Sequence, residues 1–245
     1  MAAAAAWRTI PPPRGPIYHV GRRPDPFYWH PPQRLDVEQP SGGRFDDPHG
    51  EYATLYCASS AYGALLEKLC PLRPIRELAA QYNSALDDDV DPEFDRPPTG
   101  ATFPVGFGDA NVMGTATIDP DRRFLDVEEP ENHRLLEQLG GQPLLRLLGV
   151  GRIDRGTFDA NDRTLTRRVA RELYDLAGDE IAGLRYISAI DAEVECWAIW
   201  ERTKPRLHDR DIEPFDTTTS DLLAVMAFLG FERPAELSSE YRNLT

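Results

Sequence analysis

The fold is decided by residues 42–67, which read GGRFDDPHGEYATLYCASSAYGALLE. The centre of this stretch, Thr54–Ala58, is a compact apolar segment that predicts a β-strand. Apolar residues then recur at helical spacing and predict a helix that Ser59 or Ser60 caps and Pro71 ends. The buried face of that helix is predicted to contain Tyr62, Leu65, Leu66 and Leu69.

Outside this stretch, helices and strands are mixed without regular βαβ alternation. This pattern predicts an α+β fold, with a compact mixed or antiparallel sheet and flanking helices. Further strands are predicted at residues 17–20, 112–118, 123–127, 184–188 and 195–200. Further helices are predicted at residues 75–82, 130–139, 163–177 and 221–229. Proline-dense loops are predicted at residues 22–40 and 86–100.

Composition excludes several classes of function. The formal net charge is −14, from 41 acidic and 27 basic residues, and such a surface repels the phosphate backbone of nucleic acids. The three cysteines form no CxxC pair, no Cys/His group has the spacing of zinc ligands, and no metal is expected. No run approaches the roughly 18 apolar residues of a membrane span, so the expected location is the cytoplasm.

Five residues are candidates for a binding or catalytic site, and each has an ordinary alternative. Arg44 follows two glycines and is either a pyrophosphate clamp or a surface arginine. Glu67 has small neighbours on its helix that could admit a ligand, but it could equally be a solvated glutamate. Tyr56 is either a core aromatic or a stacking platform for a ligand ring. Ser188 and His19 are the remaining candidates, and their ordinary alternatives are a turn residue and a structural histidine, respectively.

The order of these residues resembles the RES-domain family over about residues 17–203. The resemblance rests on GGRF with Arg44, LYCA with Tyr56, the helix with Glu67, GLRYIS with Ser188, and the strand CWAIWE. Family members fold as α+β domains akin to ADP-ribosyltransferases and bind NAD+ in a cleft. Several destroy NAD+ by phosphorolysis or hydrolysis, and many are toxins neutralised by an antitoxin with an Xre-like domain.

The resemblance implies a division of the chain and a set of site residues. It implies a flexible Ala/Pro-rich arm at 1–16, an NAD-binding catalytic domain at 17–204, and an extension at 205–245 with one helix packed on the domain. Glu67, Arg44 and Tyr56 would be catalytic. The residues that would hold the NAD+ are His19, Arg44, Phe45, Tyr56 and Ser188.

The resemblance also implies the partners. NAD+ is the expected substrate, inorganic phosphate is a candidate co-substrate, and no metal is required. An Xre-like antitoxin is the implied protein partner, and the oligomeric state is open between a monomer and a homodimer. His19 stands where the family commonly has an arginine after an aromatic residue. Two alternatives stay open: a transferase that modifies a protein with ADP-ribose, and a non-catalytic NAD-binding module in which His19 marks lost activity.

Overall fold

The computed structural model describes residues 7–32, 42–73, 103, 106–160, 162–201, 207–214 and 219–231. In these ranges, the strands are β1 Thr9–Ile10, β2 Ile17–Arg22, β3 Thr54–Ala58, β4 Asn111–Ile118, β5 Arg123–Asp126, β6 Ile181–Ile187, β7 Glu195–Trp200 and β8 Leu207–Pro214. The helices are α1 Ala61–Leu69, α2 Phe107–Ala110, α3 Pro130–Leu148, α4 Arg155–Asp159, α5 Arg163–Leu176 and α6 Ser220–Leu229, and a 3-10 turn covers Cys70–Leu72.

The eight strands form one sheet in the order β1-β5-β6-β7-β3-β2-β4-β8. The β5–β6 pair is parallel and the other six pairs are antiparallel. A mixed sheet with flanking helices is the α+β fold predicted from the sequence. The central stretch behaves as predicted, since β3 spans Thr54–Ala58 and Ser60 caps α1 by accepting from the Gly63 N–H at 3.1 Å.

The helices pack against one face of the sheet. Leu66 of α1, Leu136 of α3, Val169 of α5 and Leu222 of α6 belong to one buried cluster and are each 0% exposed. We call this side the helical face. A smaller cluster on the opposite face is covered by Phe27 from the loop after β2. Because side chains alternate along a strand, each strand residue belongs to one face only.

The sheet is weakly joined between β2 and β3. Only one residue pair, Tyr18 with Ala58, links these strands, whereas β2 pairs with β4 over its whole length, Ile17–Arg22. Beyond that pair, a side-chain hydrogen bond takes the place of a backbone–backbone hydrogen bond between the strands: His19 Nδ1 lies 2.5 Å from the Tyr56 carbonyl oxygen. Backbone pairing between β2 and β3 therefore stops before Tyr56, although all eight strands belong to one sheet.

Three features differ from the sequence-based expectations. Residues 9–10, in the segment predicted as a flexible arm, form the edge strand β1, because Asn132 exchanges hydrogen bonds with the backbone of Arg8. The helix predicted to end at residue 139 bends at Gly141 (φ 58°, ψ −160°) and continues to Leu148. β8 lies beyond residue 204 but pairs with β4, so the sheet extends past the predicted end of the catalytic domain.

Some predictions concern segments that the structure does not describe. The helix at 75–82 and the loop at 86–100 lie outside the described residues, as does part of the loop at 22–40. Among the helices that are described, none combines the length and the apolar composition needed to cross a membrane. The described ranges also contain no group of three or more His, Cys, Asp or Glu side chains arranged to hold a metal ion.

Candidate functional site

The loop that carries Arg44 is fixed by side chains on both of its flanks. Asp46 accepts from the Gly43 N–H at 2.5 Å and from the Tyr56 hydroxyl at 2.8 Å. The Phe45 N–H in turn donates to the Tyr56 hydroxyl oxygen at 2.7 Å. A Cβ on Gly43 would overlap the Tyr56 ring, so only glycine allows the loop to approach this closely.

The Arg44 side chain is half-buried and weakly paired. Its exposed fraction is 25%, and Nη1 donates to the carbonyl oxygen of Phe158 at 3.4 Å. The nearest carboxylate oxygen is Oδ1 of Asp159, at 3.7 Å. A guanidinium with one long hydrogen bond and one loose ion pair keeps donors available for an anion such as a pyrophosphate.

Glu67 lies in the last turns of α1, on the helical face of the sheet. Its contact among the described residues is with Cys196, whose Sγ is 3.9 Å from Oε1, and no basic side chain described here pairs with the carboxylate. One of the small residues beside it, Gly63, serves helix packing and not ligand access. Gly63 is buried, and a Cβ there would come within 2.7 Å of Val194, so glycine instead lets α1 pack closely on the sheet.

Tyr186 and Cys196 lie between Glu67, which contacts Cys196, and the Arg44 loop, which packs on Tyr186 through Phe45. They pair directly across β6 and β7, and both are buried on the helical face. Burial raises the pKa of the Tyr186 hydroxyl well above its ordinary value, the neighbouring thiol and the charge of Glu67 add to the rise, and Arg44 opposes it. Burial likewise raises the pKa of the Cys196 thiol, with Glu67 adding and Arg44 opposing. Glu67 contacts Cys196 directly, whereas Arg44 reaches this pair through its neighbour Phe45, which packs on Tyr186.

The Tyr56 hydroxyl and the Phe45 ring make contacts with the Arg44 loop and the core. The Tyr56 hydroxyl is used by Asp46 and by the Phe45 amide, and burial raises the pKa of that hydroxyl, with Asp46 adding to the rise. Phe45 is 0% exposed and its ring packs edge-on against Tyr186, with centroids 5.0 Å apart. Phe45 thus connects the Arg44 loop to the core beneath the site.

His19 contacts the backbone of Tyr56 but does not lie on the same face of the sheet as Glu67. Its ring contacts Phe27, with centroids 6.0 Å apart, on the face of the sheet opposite α1. The pKa of His19 is lowered to about 4, chiefly by burial and to a smaller extent by the charges of Lys68 and His30, while the bond to Tyr56 opposes the change. Because a carbonyl oxygen only accepts, Nδ1 carries the proton, and His19 is neutral near pH 7.

Ser188 lies at the end of β6 and is 2% exposed. Its Oγ accepts from the Ile190 N–H at 3.1 Å, and its own N–H donates to the Val194 carbonyl at 2.9 Å. These bonds close the turn between β6 and β7. Ser188 lies two positions beyond Tyr186, at the same end of the strand.

Sequence reasoning missed several groups around this site. Tyr186 and Cys196 carried a usable signal, since each lies on the helical face of its strand at the level of α1. Three arginines of α5 at four-residue spacing also contact the Arg44 loop. Their spacing was visible as a stripe on one helix side, but its target was not, because the contacts span more than 100 residues.

Comparison with known proteins adds one positive finding. No curated protein matches this chain. The model of the RES domain matches residues 16–220 of the 245 residues, which includes every strand described above except β1. The matched range contains the GGRF loop, α1 and the β6–β7 pair that together form the candidate site. By this match, which covers most of its length, the chain belongs to the RES-domain family.

Proposed function

We propose that this protein consumes NAD+ by breaking its nicotinamide–ribose bond. The observation that carries the proposal is a series of contacts between the two residues: Glu67 Oε1 lies 3.9 Å from Cys196 Sγ, Cys196 pairs across the strands with Tyr186, and the Tyr186 ring packs against Phe45, the neighbour of Arg44. A guanidinium with spare donors and a carboxylate without a cationic partner among the described residues are complementary to an anionic substrate that develops positive charge. Membership of the RES-domain family, which is of the toxin–antitoxin type, supports an NAD-related activity.

Glu67 is the residue we assign to the chemical step. Cleavage of a glycosidic bond passes through an oxocarbenium-like state, in which positive charge develops on the ribose while nicotinamide leaves neutral. A preorganised carboxylate stabilises that charge and orients the attacking group by hydrogen bonding. The half-buried position of Glu67 beside the Cys196 thiol supports this role, because surrounding apolar groups strengthen its field.

Arg44 is the residue we assign to the substrate phosphates. In binding a pyrophosphate, its guanidinium would exchange the 3.7 Å contact with Asp159 for shorter charge-assisted hydrogen bonds. Tyr56 keeps the Arg44 loop in place through its hydroxyl, and Ser188 closes the turn between β6 and β7. His19 receives no direct role in the step, because it lies on the opposite face and is neutral.

The acceptor of the ADP-ribosyl group is water or inorganic phosphate in this proposal. No metal ion takes part. Depletion of NAD+ would make the protein toxic to the cell that produces it, and an antitoxin with an Xre-like domain would be its neutralising partner. Modification of a protein target uses the same bond cleavage and differs only in the acceptor.

The product identifies the reaction. The full chain is incubated with NAD+, with and without inorganic phosphate, and the products are identified by mass spectrometry. Free ADP-ribose indicates hydrolysis, and phosphorylated ADP-ribose that forms only with phosphate indicates phosphorolysis. A parallel incubation with labelled NAD+ and cell lysate detects a transferase as label on a protein band. No loss of NAD+ in either incubation by a folded protein would overturn the proposal.

A further inference from the structure

Arginine side chains of helix α5 form hydrogen bonds to the loop that carries Arg44. Arg163, Arg167 and Arg171 are four residues apart and therefore lie on one side of the helix. Arg163 Nη1 donates to the Gly42 carbonyl, and Arg167 Nε donates to the Gly43 carbonyl at 3.0 Å. These are the two carbonyl groups that immediately precede Arg44.

Arg171 fixes the far end of the same loop. Its Nη1 donates to Glu51 Oε2 at 2.6 Å and lies 3.4 Å from Oδ2 of Asp47. The Asp47 side chain is fully buried and also accepts from the backbone amides of Glu51 and Tyr52 at 2.5 and 3.3 Å. The loop is thus bound to α5 at both ends, through backbone carbonyls at Gly42 and Gly43 and through side-chain carboxylates at Asp47 and Glu51.

Of the three arginines, Arg167 has the largest unfavourable free energy of burial. Only 5% of the residue is exposed, and burial lowers the pKa of its guanidinium, while the charges of Asp46 and Tyr56 act to raise it. A buried cation is unfavourable unless its hydrogen bonds are satisfied. Here one of those bonds is made to the backbone of the loop, directly beside the residue proposed to bind the substrate.

The amide side of the loop is held as well. The Gly43 N–H is bound by Asp46 and the Phe45 N–H by the hydroxyl of Tyr56. Arg44 is therefore the residue between two immobilised peptide groups, and its guanidinium extends from a backbone with little freedom. A binding group held in this way loses less conformational entropy when its ligand arrives.

We infer that Arg167 is a positioning residue for substrate binding: through the Gly43 carbonyl it fixes the backbone from which Arg44 reaches the anionic part of the substrate. Arg163 assists at the Gly42 carbonyl. This inference rests on the proposed function. Arg167 itself acts through Arg44, so its removal should matter only while the Arg44 guanidinium is present.

A double-mutant cycle tests this dependence. Dissociation constants for NAD+ are measured by calorimetry on the full chain, with Glu67→Gln in every variant so that the ligand persists. We expect Arg167→Met to weaken binding about tenfold when Arg44 is present and less than twofold in an Arg44→Ala background. Arg168→Met is the matched control, since Arg168 donates to the Leu147 carbonyl on α3 and should leave affinity unchanged. Equal losses in both backgrounds would mean a merely structural role and would overturn the inference.

Hydrogen exchange gives a readout that does not depend on NAD+. Arg167→Lys keeps the charge and one donor and serves where the methionine variant fails to fold. We expect the Gly43 and Phe45 amides to exchange at least about tenfold faster in Arg167→Lys than in wild type, and Arg168→Lys to match wild type. Unchanged exchange at both amides would overturn the inference. A wild-type chain that neither binds nor consumes NAD+ would refute the proposed function, and that result is separate from the exchange result.

Discussion

At the scale of single residues, Gly43 is where the loop and the sheet come into closest contact. Because a Cβ at this position would overlap the Tyr56 ring, Gly43→Ala must displace the loop or the ring. We expect a loss of about 1–3 kcal/mol in the free energy of unfolding, as for other overpacked sites, together with weaker NAD+ binding. Urea denaturation and calorimetry measure the two effects.

The control for this substitution is Gly151→Ala. A Cβ on Gly151 would meet no atom within 4 Å, so its addition should change neither stability nor affinity appreciably. If Gly43→Ala proved as harmless as Gly151→Ala, the close packing of the loop on Tyr56 would be refuted.

His19 makes stability depend on pH in a defined window. Its pKa is about 4 in the folded chain and about 6.5 in an unfolded one, so between these values the unfolded chain binds the proton more tightly. Stability should therefore fall as the pH is lowered from 6.5 to 4, by up to about 3 kcal/mol from this residue. His19→Asn keeps a donor for the Tyr56 carbonyl but does not titrate.

Urea denaturation of both proteins at several pH values between 4 and 7.5 isolates this contribution, because other titrating groups are common to the two. The stability difference between wild type and His19→Asn should change across the window and be constant above pH 7. Parallel curves over the whole range would show that His19 is not buried in its neutral form.

Single residues also show how far a sequence can predict a site. Arg44 and Glu67 are site predictions from their order along the chain; in the structure Glu67 contacts Cys196, and the loop that carries Arg44 packs on Tyr186 through Phe45. The face of the sheet on which His19 lies was not predictable, because it depends on what covers the sheet, here Phe27. The contacts of the Tyr56 hydroxyl were not predictable either, because its partners come from the Arg44 loop.

At the scale of elements, α6 stabilises the helix that carries Glu67. α6 packs on α1, and its Leu222 is 0% exposed, whereas Phe228 on the same helix is 54% exposed. Leu222→Ala should cost about 2–5 kcal/mol of unfolding free energy, as buried leucine truncations do. Phe228→Ala should stay within about 0.5 kcal/mol of wild type. Thermal and urea unfolding of the two variants provide the comparison, and equal effects would mean that α6 is not docked as described.

Elements were predictable where local patterns agree with the final packing. β3, β7, α5 and α6 match their predicted bounds to within one residue, because apolar spacing and turn residues determine them locally. The bend in α3 was not predictable, because a glycine pair after a helical stretch ordinarily predicts the end of the helix. Here the chain resumes its helix after Gly141. β8 was missed because its side chains are mostly exposed and carry no apolar alternation.

At the scale of the whole molecule, the proposed site lies on the helical face of the part of the sheet formed by β3, β6 and β7. β2 and β3 share one residue pair, and beyond it Tyr56 begins the part of the sheet that supports Arg44 and Glu67. The net charge of −14 means that the surface as a whole repels an anionic substrate. Binding must therefore depend on local cations, which is why Arg44 and the α5 arginines that hold its loop are central to the account.

The most direct test of the central claim is the turnover of NAD+ by Glu67→Gln beside Glu180→Gln, an exposed glutamate at the opposite end of β6 from Tyr186. Both variants lose one negative charge, and circular dichroism and urea unfolding confirm that each remains folded. Glu67→Gln should lose about 10²–10³-fold in rate, as the removal of one electrostatic transition-state contact does, while Glu180→Gln keeps wild-type turnover. A folded Glu67→Gln protein that consumes NAD+ at the wild-type rate would contradict the account.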